Sequence, residues 1–486
     1  MYLGIDLGTS GVKAVLINEQ QQIISSATGA LSVSRPQDGW SEQDPADWVS
    51  ATIEAMGKVR EAEPKAYAGI RGIGLSGQQH GATLLDASDQ VIRPCILWND
   101  TRSHAEATTL DTAAVRDLAG SIIFPGFTAP KLLWLETHEP DSFRRCARVL
   151  LPKDYLRWWL TGEFVSDMSD ASGTGWLDIG QRDWSSQLLD NAHMRHDQMP
   201  SLVEGSAVSA TLSSARAAEL GLAASTVVAG GAGDNAASAC GMGTLVDGSA
   251  FVSLGTSGVV FASTDAHRPM PESAVHAFCH AVPDTWHQMG VILSATDTLN
   301  WLAKLLDVPA AELTAGLGDE LNAPGGTAFA PYLSGERTPH PDALLRGAIT
   351  GIGHDCDRQT LVQSCLEGVT FALRDNLQAL ATAGTQIDKV TAIGGGSRSE
   401  YWLKLIATVL DVAVETTVDG DFGAGFGAAR LGLLAAEGLP PDTTCTAPAV
   451  ARVYEPQANL QSAFDAAYAR HRALYPALVS VREAGG

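Results

Sequence analysis

Cysteine is scarce and without pattern: seven residues, at 95, 146, 240, 279, 356, 365 and 445, an odd number with no C-x-x-C pair. This excludes a disulfide framework and a zinc cluster and leaves reduced, mostly buried small side chains. Positive charge is short as well, with 32 Lys and Arg against 55 Asp and Glu and a formal net charge of -23. No Lys/Arg-rich run relieves it, so nucleic acid and anionic lipid are not expected as partners. No apolar run approaches the length of a membrane span, and Met1-Tyr2-Leu3-Gly4-Ile5-Asp6 opens on a strand pattern instead of a basic and then apolar leader. A cytoplasmic protein without membrane attachment is the expectation.

With 45% hydrophobic and 18% charged residues the chain is expected to fold throughout, and 486 residues exceed one compact core and fit two domains. Leu3, Ile5 and Leu7 alternate with Gly4 and Asp6, Gly8-Thr9-Ser10-Gly11 supplies turn chemistry, and Val12 to Ile17 is β-rich again, which predicts a hairpin. The same six residues, Leu-Gly-Thr-Ser-Gly-Val, stand at 7–12 and at 254–259, each time between strand patterns. This repeat predicts two similar domains, residues 1–243 and 244–486, each opening with a hairpin and facing the other across a cleft. Helical patterns over Pro45–Arg60, Pro130–Glu136, Asp297–Leu306, Arg358–Ala381 and Ser399–Leu410 make the class α/β.

Turns rich in Gly, Ser and Thr present backbone N–H groups and hydroxyls, the donors that bind phosphate oxygens. No G-x-x-x-x-G-K-[ST] occurs, so a nucleotide would be held by the two opposed hairpins, Gly8, Thr9 and Ser10 on one side and Gly255, Thr256 and Ser257 on the other. Asp6, just before the first turn, would reach a phosphate-bound Mg²⁺ through water, and Lys13 would add positive charge; a capping Asp6 and a solvated Lys13 are the plain alternative. The run Val227 to Ala237 goes from apolar through glycines to Asp234 and then small helix formers, placing Asp234 at a strand-to-helix junction. There it can take the proton of an attacking hydroxyl and stand beside the metal, or act as an ordinary N-cap.

The first hairpin, Gly233-Asp234-Asn235, the second hairpin, Pro331-Tyr332-Leu333-Ser334-Gly335-Glu336-Arg337-Thr338-Pro339 and Gly394-Gly395-Gly396-Ser397-Arg398-Ser399 occur in an order that resembles the FGGY carbohydrate kinases over nearly the whole chain. Within that family the chain is most similar to the branch acting on D-xylulose, judging by Trp40–Pro45, Gly77–Gly81, Leu97–Asp100, Gly126–Lys131 and Leu151–Tyr155. The resemblance implies two actin-like ATPase (ribonuclease H-like) domains, the hairpins as phosphate loops, Asp234 as base, and ATP and Mg²⁺ as cofactors. It implies an adenosine pocket at Gly394, Gly395, Gly396 and Ser397, and a neutral sugar pocket at Gln79, His80, Asp234, Asn235 and Trp98. His80 is expected to donate to a ketose hydroxyl, and Gln79, where the branch commonly has Met, to offer its amide. Glycerol kinases of the family carry Arg-Glu at Gln79-His80, which argues against glycerol. Gly420 to Ala429 would lead into a helix beside the adenine site rather than form a dinucleotide fingerprint. A kinase for ribulose or gluconate and a non-catalytic sugar sensor of the same fold stay open, as does a homodimer.

Overall fold

The computed structural model describes residues 1–418 and 422–485; Gly420 and Asp421 lie outside the described residues. The first sheet is built from β1 (Tyr2–Leu7), β2 (Gly11–Ile17), β3 (Ile23–Ala30), β4 (Gly72–Gly77), β5 (Val208–Thr211), β6 (Val227–Ala229) and β7 (Ala232–Gly233). Its order is β5-β6-β4-β1-β2-β3, with β7 also on β4. The second is built from β8 (Ala250–Leu254), β9 (Gly258–Thr264), β10 (His276–Cys279), β11 (Trp286–Ile292), β12 (Lys389–Ile393), β13 (Ala413–Thr417) and β14 (Val450–Tyr454), in the order β10-β11-β9-β8-β12-β13-β14.

The two sheets repeat one wiring. In the first, β1 pairs antiparallel with β2 and parallel with β4, and β2 runs antiparallel to β3. In the second, β8 pairs antiparallel with β9 and parallel with β12, and β9 runs antiparallel to β11. Each sheet then adds one more parallel strand, β6 or β13, closed by an antiparallel edge, β5 or β14. The hexapeptide repeat thus marks equivalent corners of two equivalent sheets, and the class is α/β as expected.

The helices follow their patterns. Asp44 caps α1 (Pro45–Ala62) by accepting from the Ala46 N–H, Pro45 takes the first turn where no donor is needed, and Trp48, Ala51, Ala55, Met56 and Val59 fall on one buried face. The other helices used below are α2 (Pro152–Thr161), α3 (Asp234–Met242), α4 (Thr296–Leu306), α5 (Arg358–Thr382), α6 (Glu400–Leu410) and α7 (Ala424–Glu437).

Both faces of β1 are covered. Leu3, Ile5 and Leu7 pack in one cluster with Trp48, Met56 and Val59 of α1, whereas Tyr2 packs with Phe426, Ala429 and Leu433 of α7. The contact with α7 is backbone to backbone: a Cβ on Gly4 would stand 1.9 Å from the Gly425 carbonyl oxygen, and one on Gly74 1.8 Å from that of Ala428. A helix from the second half of the sequence therefore lies on the sheet of the first half and against α3, where a Cβ on Gly427 would stand 1.7 Å from the Ala237 carbonyl. We keep the division at 243/244 as a proposal for where the lobes part; α7 crosses it. Among the described residues no helix is long and apolar enough to cross a membrane.

Candidate active site

The chain leaves β6, turns through Gly230 and Gly231, adds β7 and enters α3 at Asp234. Gly231 has φ +77 and its Cβ position lies 2.4 Å from the Leu75 carbonyl oxygen, so any side chain would push this turn off β4. The N-cap of α3 is Gly233, without a side-chain bond. Asp234 is therefore not the cap: its carboxylate accepts from the backbone N–H and the side-chain Nδ2 of Asn235, at 2.7 and 2.9 Å. Burial first, and the charge of Asp6 second, push its pKa up to about 6 against those two bonds. A carboxylate so placed is a stronger base than one in water, yet still ionised at neutral pH.

Asp6, next to last in β1, pairs with Lys13, accepts from Ser76 Oγ at 3.0 Å, and has its pKa raised by burial, with Ser76 and Lys13 opposing. Two half-buried carboxylates that feel each other suit a divalent cation with oxygen ligands, which would relieve both.

Around Asp234 opens a cavity of about 190 Å³, walled by Gly8, Thr9, Gln79, His80, Trp98 and Asn235 from the first half and by Ser257, His276, Phe278, Met289 and Arg337 from the second. His80 sits at φ +69, stacks on Phe127 at 4.7 Å and 11°, and has Nδ1 at 2.6 Å from the Gly173 carbonyl oxygen. Burial lowers its pKa to about 3, so the ring is neutral. A carbonyl only accepts, hence Nδ1 carries the proton and Nε2 is an acceptor. His80 can take a hydrogen bond from a hydroxyl, whereas donation to one was expected. Gln79 lines the same wall with Nε2 donating to the Ser169 carbonyl at 3.1 Å, which leaves its Oε1 and second amide proton.

Trp98 borders the cavity with Nε1 donating to Thr9 Oγ1 at 3.0 Å, and Thr9 Oγ1 donates to Gln78 Oε1 at 2.9 Å. Gln78 Nε2 and Trp48 Nε1 both reach Gln43 Oε1 at 3.0 Å, and Gln43 Nε2 returns to the Thr9 carbonyl at 2.8 Å. This network holds the first hairpin tip and engages the Thr9 hydroxyl proton, which was expected at phosphate. The Gly8 N–H closes the turn on the Gly11 carbonyl at 3.0 Å, and those of Thr9 and Ser10 have no partner among the described residues. The second tip turns its carbonyls away: Gly255 accepts from Thr296 N and Oγ1, at 3.0 and 2.7 Å, and Thr256 from Ala295 N at 2.8 Å. The N–H groups of Gly255, Thr256 and Ser257 are without partners among the described residues, an arrangement that suits an anion.

β12 runs beside β8 and ends next to the second tip, where Gly394 has φ +88 and a Cβ position 2.8 Å from the Leu254 carbonyl oxygen. The turn it begins is flanked by two cavities. One of about 590 Å³ is bounded by Thr296, Leu299, Asn300, Gly395, Gly396 and Trp402. The other, about 790 Å³, is bounded by Gly394, Ser397, Thr416, Phe422 and Gly423. Phe422 and Gly423, just before α7, therefore border the same cavity as the Gly394–Ser397 turn, while α7 itself packs on the first sheet.

Two features escaped the sequence reading. Arg337, quoted in a motif but given no role, lies in the cavity wall with its guanidinium over Phe124 at 4.8 Å. The second is a fully buried charge cluster under the site: Lys153 Nζ of α2 reaches Asp154, Asp167 and Asp170 at 2.5, 2.7 and 3.0 Å. The three carboxylates have the spacing of a cation site, and the ammonium fills it. The cluster braces the pocket: Asp167 accepts from Ser169 N at 2.9 Å, Ser169 Oγ accepts from Gly233 N at 3.2 Å, and Arg157 donates to the carbonyls of Ala229 and Gly230. Lys-Asp at 153–154 was a visible signal, but Asp167 and Asp170 join it only through the fold.

The model of the FGGY family of carbohydrate kinases, N-terminal domain, matches residues 1–241, and that of the C-terminal domain residues 250–436. A xylulose kinase of Escherichia coli K12 is 48% identical over 441 residues, 90% of each chain. Among solved structures, a "xyloylose kinase" from Brucella ovis superposes with TM-score 0.97 at 60% identity over 99% of both chains. A xylulose kinase from Rhodospirillum rubrum gives 0.91 at 27% identity, again over 99% of both.

Proposed function

The chain belongs to the FGGY family of carbohydrate kinases, and from that premise we propose that it transfers the γ-phosphoryl group of ATP to the terminal hydroxyl of D-xylulose, giving D-xylulose 5-phosphate. The observation that carries the reading is Asp234: a carboxylate with pKa about 6, at the meeting of a small cavity and two hairpins with unengaged N–H groups. The base accepts the proton of the C5 hydroxyl as that oxygen attacks phosphorus. Asn235, through its bonds to Oδ1, keeps the carboxylate aimed.

The tips at 8–10 and 255–257 bind the polyphosphate from opposite sides, and the two lobes position donor and acceptor rather than supply covalent chemistry. Adenosine is assigned to the cavity of about 590 Å³, because that cavity is lined by Thr296, whose Oγ1 donates to the Gly255 carbonyl of the second tip, and by Gly395 and Gly396. Mg²⁺ fits at Asp6, through water, and at Asp234, where it would neutralise phosphate charge. The sugar pocket suits a hydroxylated ligand: His80 is uncharged, and Gln79 and Asn235 retain amide groups. The similarity to xylulose kinases supports D-xylulose over other ketoses.

The test is a coupled assay for ADP release with D-xylulose, D-ribulose, D-fructose, D-gluconate and glycerol. The highest kcat/KM is expected with D-xylulose. A preference for another sugar would replace the substrate, and no sugar-dependent ADP release at all would replace the enzyme by a binding protein.

A further inference from the structure

Five side chains around the cavity each direct one N–H donor elsewhere, and the Gln78, Gln79 and Asn235 amides keep a second, neutral N–H. Trp98 Nε1 donates to Thr9, Gln78 Nε2 to Gln43, Gln79 Nε2 to Ser169, Asn235 Nδ2 to Asp234, and His80 Nδ1 faces the Gly173 carbonyl. Arg337 differs. Among the described residues no hydrogen bond or salt bridge uses its guanidinium, although it borders the cavity. Its sequence neighbour Glu336 makes no salt bridge with it and acts on it through charge alone, the Glu336 carboxylate accepting from Leu293 N at 3.1 Å and from Arg337 N at 2.7 Å. The Arg337 charge bears on His80 and His276, whereas the charge that bears on Asp234 is that of Asp6. The donor thus acts on the histidines of the pocket that Asp234 also lines.

A ketose phosphorylated at C5 must react in its open-chain form, because ring closure joins the C5 oxygen to C2. The open chain exposes a carbonyl at C2, an oxygen that only accepts hydrogen bonds. His80 Nε2, itself an acceptor, cannot satisfy it; a guanidinium can. Resting on the ketose-kinase reading above, we propose that Arg337 is a substrate-binding residue that donates to the C2 carbonyl oxygen and so selects the open-chain keto form, with Phe124 holding the guanidinium plane.

The test compares wild type with Arg337→Met and Arg337→Lys on D-xylulose and on xylitol, the polyol with a hydroxyl in place of the carbonyl. A hydrogen bond from a charged donor corresponds to roughly tenfold to hundredfold in binding. Arg337→Met is expected to lower D-xylulose affinity and kcat/KM by that factor, xylitol affinity much less, and Arg337→Lys to recover part of the loss. Infrared spectra of D-xylulose labelled with carbon-13 at C2 should show the bound carbonyl stretch at lower frequency than in water in wild type, and that shift should vanish in Arg337→Met. ATP affinity and melting temperature serve as folding controls, and if Arg337→Met does not fold, the infrared shift in wild type and Arg337→Lys decides. Equal losses for D-xylulose and xylitol, or no carbonyl shift in wild type, overturn the proposal. If another ketose is the substrate, only the D-xylulose reading falls, and the same comparison is made on that ketose and its polyol. A polyol or an aldonate as the preferred substrate overturns both.

Discussion

Replacing Lys153 by methionine keeps the length of the side chain and removes the cation that faces Asp154, Asp167 and Asp170 at 2.5, 2.7 and 3.0 Å in a site with no solvent exposure. Arg157 reaches only Asp154, at 3.2 Å, so Asp167 and Asp170 lose the cation that contacts them. Removing one partner of a buried ion pair costs about 3–5 kcal/mol, and this cluster belongs at the upper end because more than one carboxylate is stranded. Asp170 will answer by binding a proton. Asp170 already has its pKa pushed well up by burial, with Lys153 opposing, and without Lys153 it rises further. A carboxyl whose folded pKa lies above its unfolded value near 3.8 binds more protons when folded, so its stability contribution is present at low pH and lost as pH rises through that window. The deficit of the variant relative to wild type should therefore be smaller at about pH 5.5 than at about pH 7.5. Urea denaturation of both proteins at the two pH values measures this, and sugar KM should rise with ATP KM unchanged, because Ser169 and the 229–233 turn rest on the cluster. A deficit below about 1 kcal/mol, or one equal at both pH values, would refute the reasoning.

Asp234→Asn should lower kcat by about 10²–10⁴ with ATP binding retained, since the hairpins are untouched; calorimetry with ATP and a single-turnover assay separate the two. In wild type, kcat/KM should fall as pH drops through about 6, where Asp234 gains its proton. For the same reason ionised Asp234 costs stability above that pH, and the Asn variant should melt higher than wild type at pH 8; an equal or lower melting point would count against the raised pKa. Gly255→Val should weaken ATP binding more than sugar binding with little loss of stability, because a Cβ there meets only the Ser257 carbonyl oxygen, at 3.5 Å, and the intrusion falls on the ligand; a loss of sugar affinity alone would move the second tip to the sugar site. Gln79→Met should keep most D-xylulose activity, losing about 0.5–1.5 kcal/mol of stability with the bond to the Ser169 carbonyl; loss of D-xylulose activity with another ketose spared would reassign the substrate.

The parts legible in the sequence are those set by neighbours along the chain. Gly-Thr-Ser-Gly between strand patterns makes a hairpin at both places in this chain, so its recurrence at 254–259 announced two equivalent sheets. The apolar run ending in glycines and an acid likewise put Asp234 at a strand-to-helix junction. Which atoms remain available at the site was not legible, because that depends on partners remote in sequence. The Thr9 hydroxyl is engaged by Gln78 and Trp98, and Gly173 fixes the His80 tautomer so that it accepts where donation was expected. Arg337 and His276 reach the pocket from the second half, and Lys153 gathers Asp167 and Asp170 through the packing of α2. The placement of α7 is of the same kind: its glycines fit against Gly4 and Gly74 because two backbones approach within a side chain's width, a match that neither segment's pattern reveals. Hydrogen bonds over a few residues follow from local geometry, whereas burial, and with it the base strength of Asp234, arises only when distant segments close over one another.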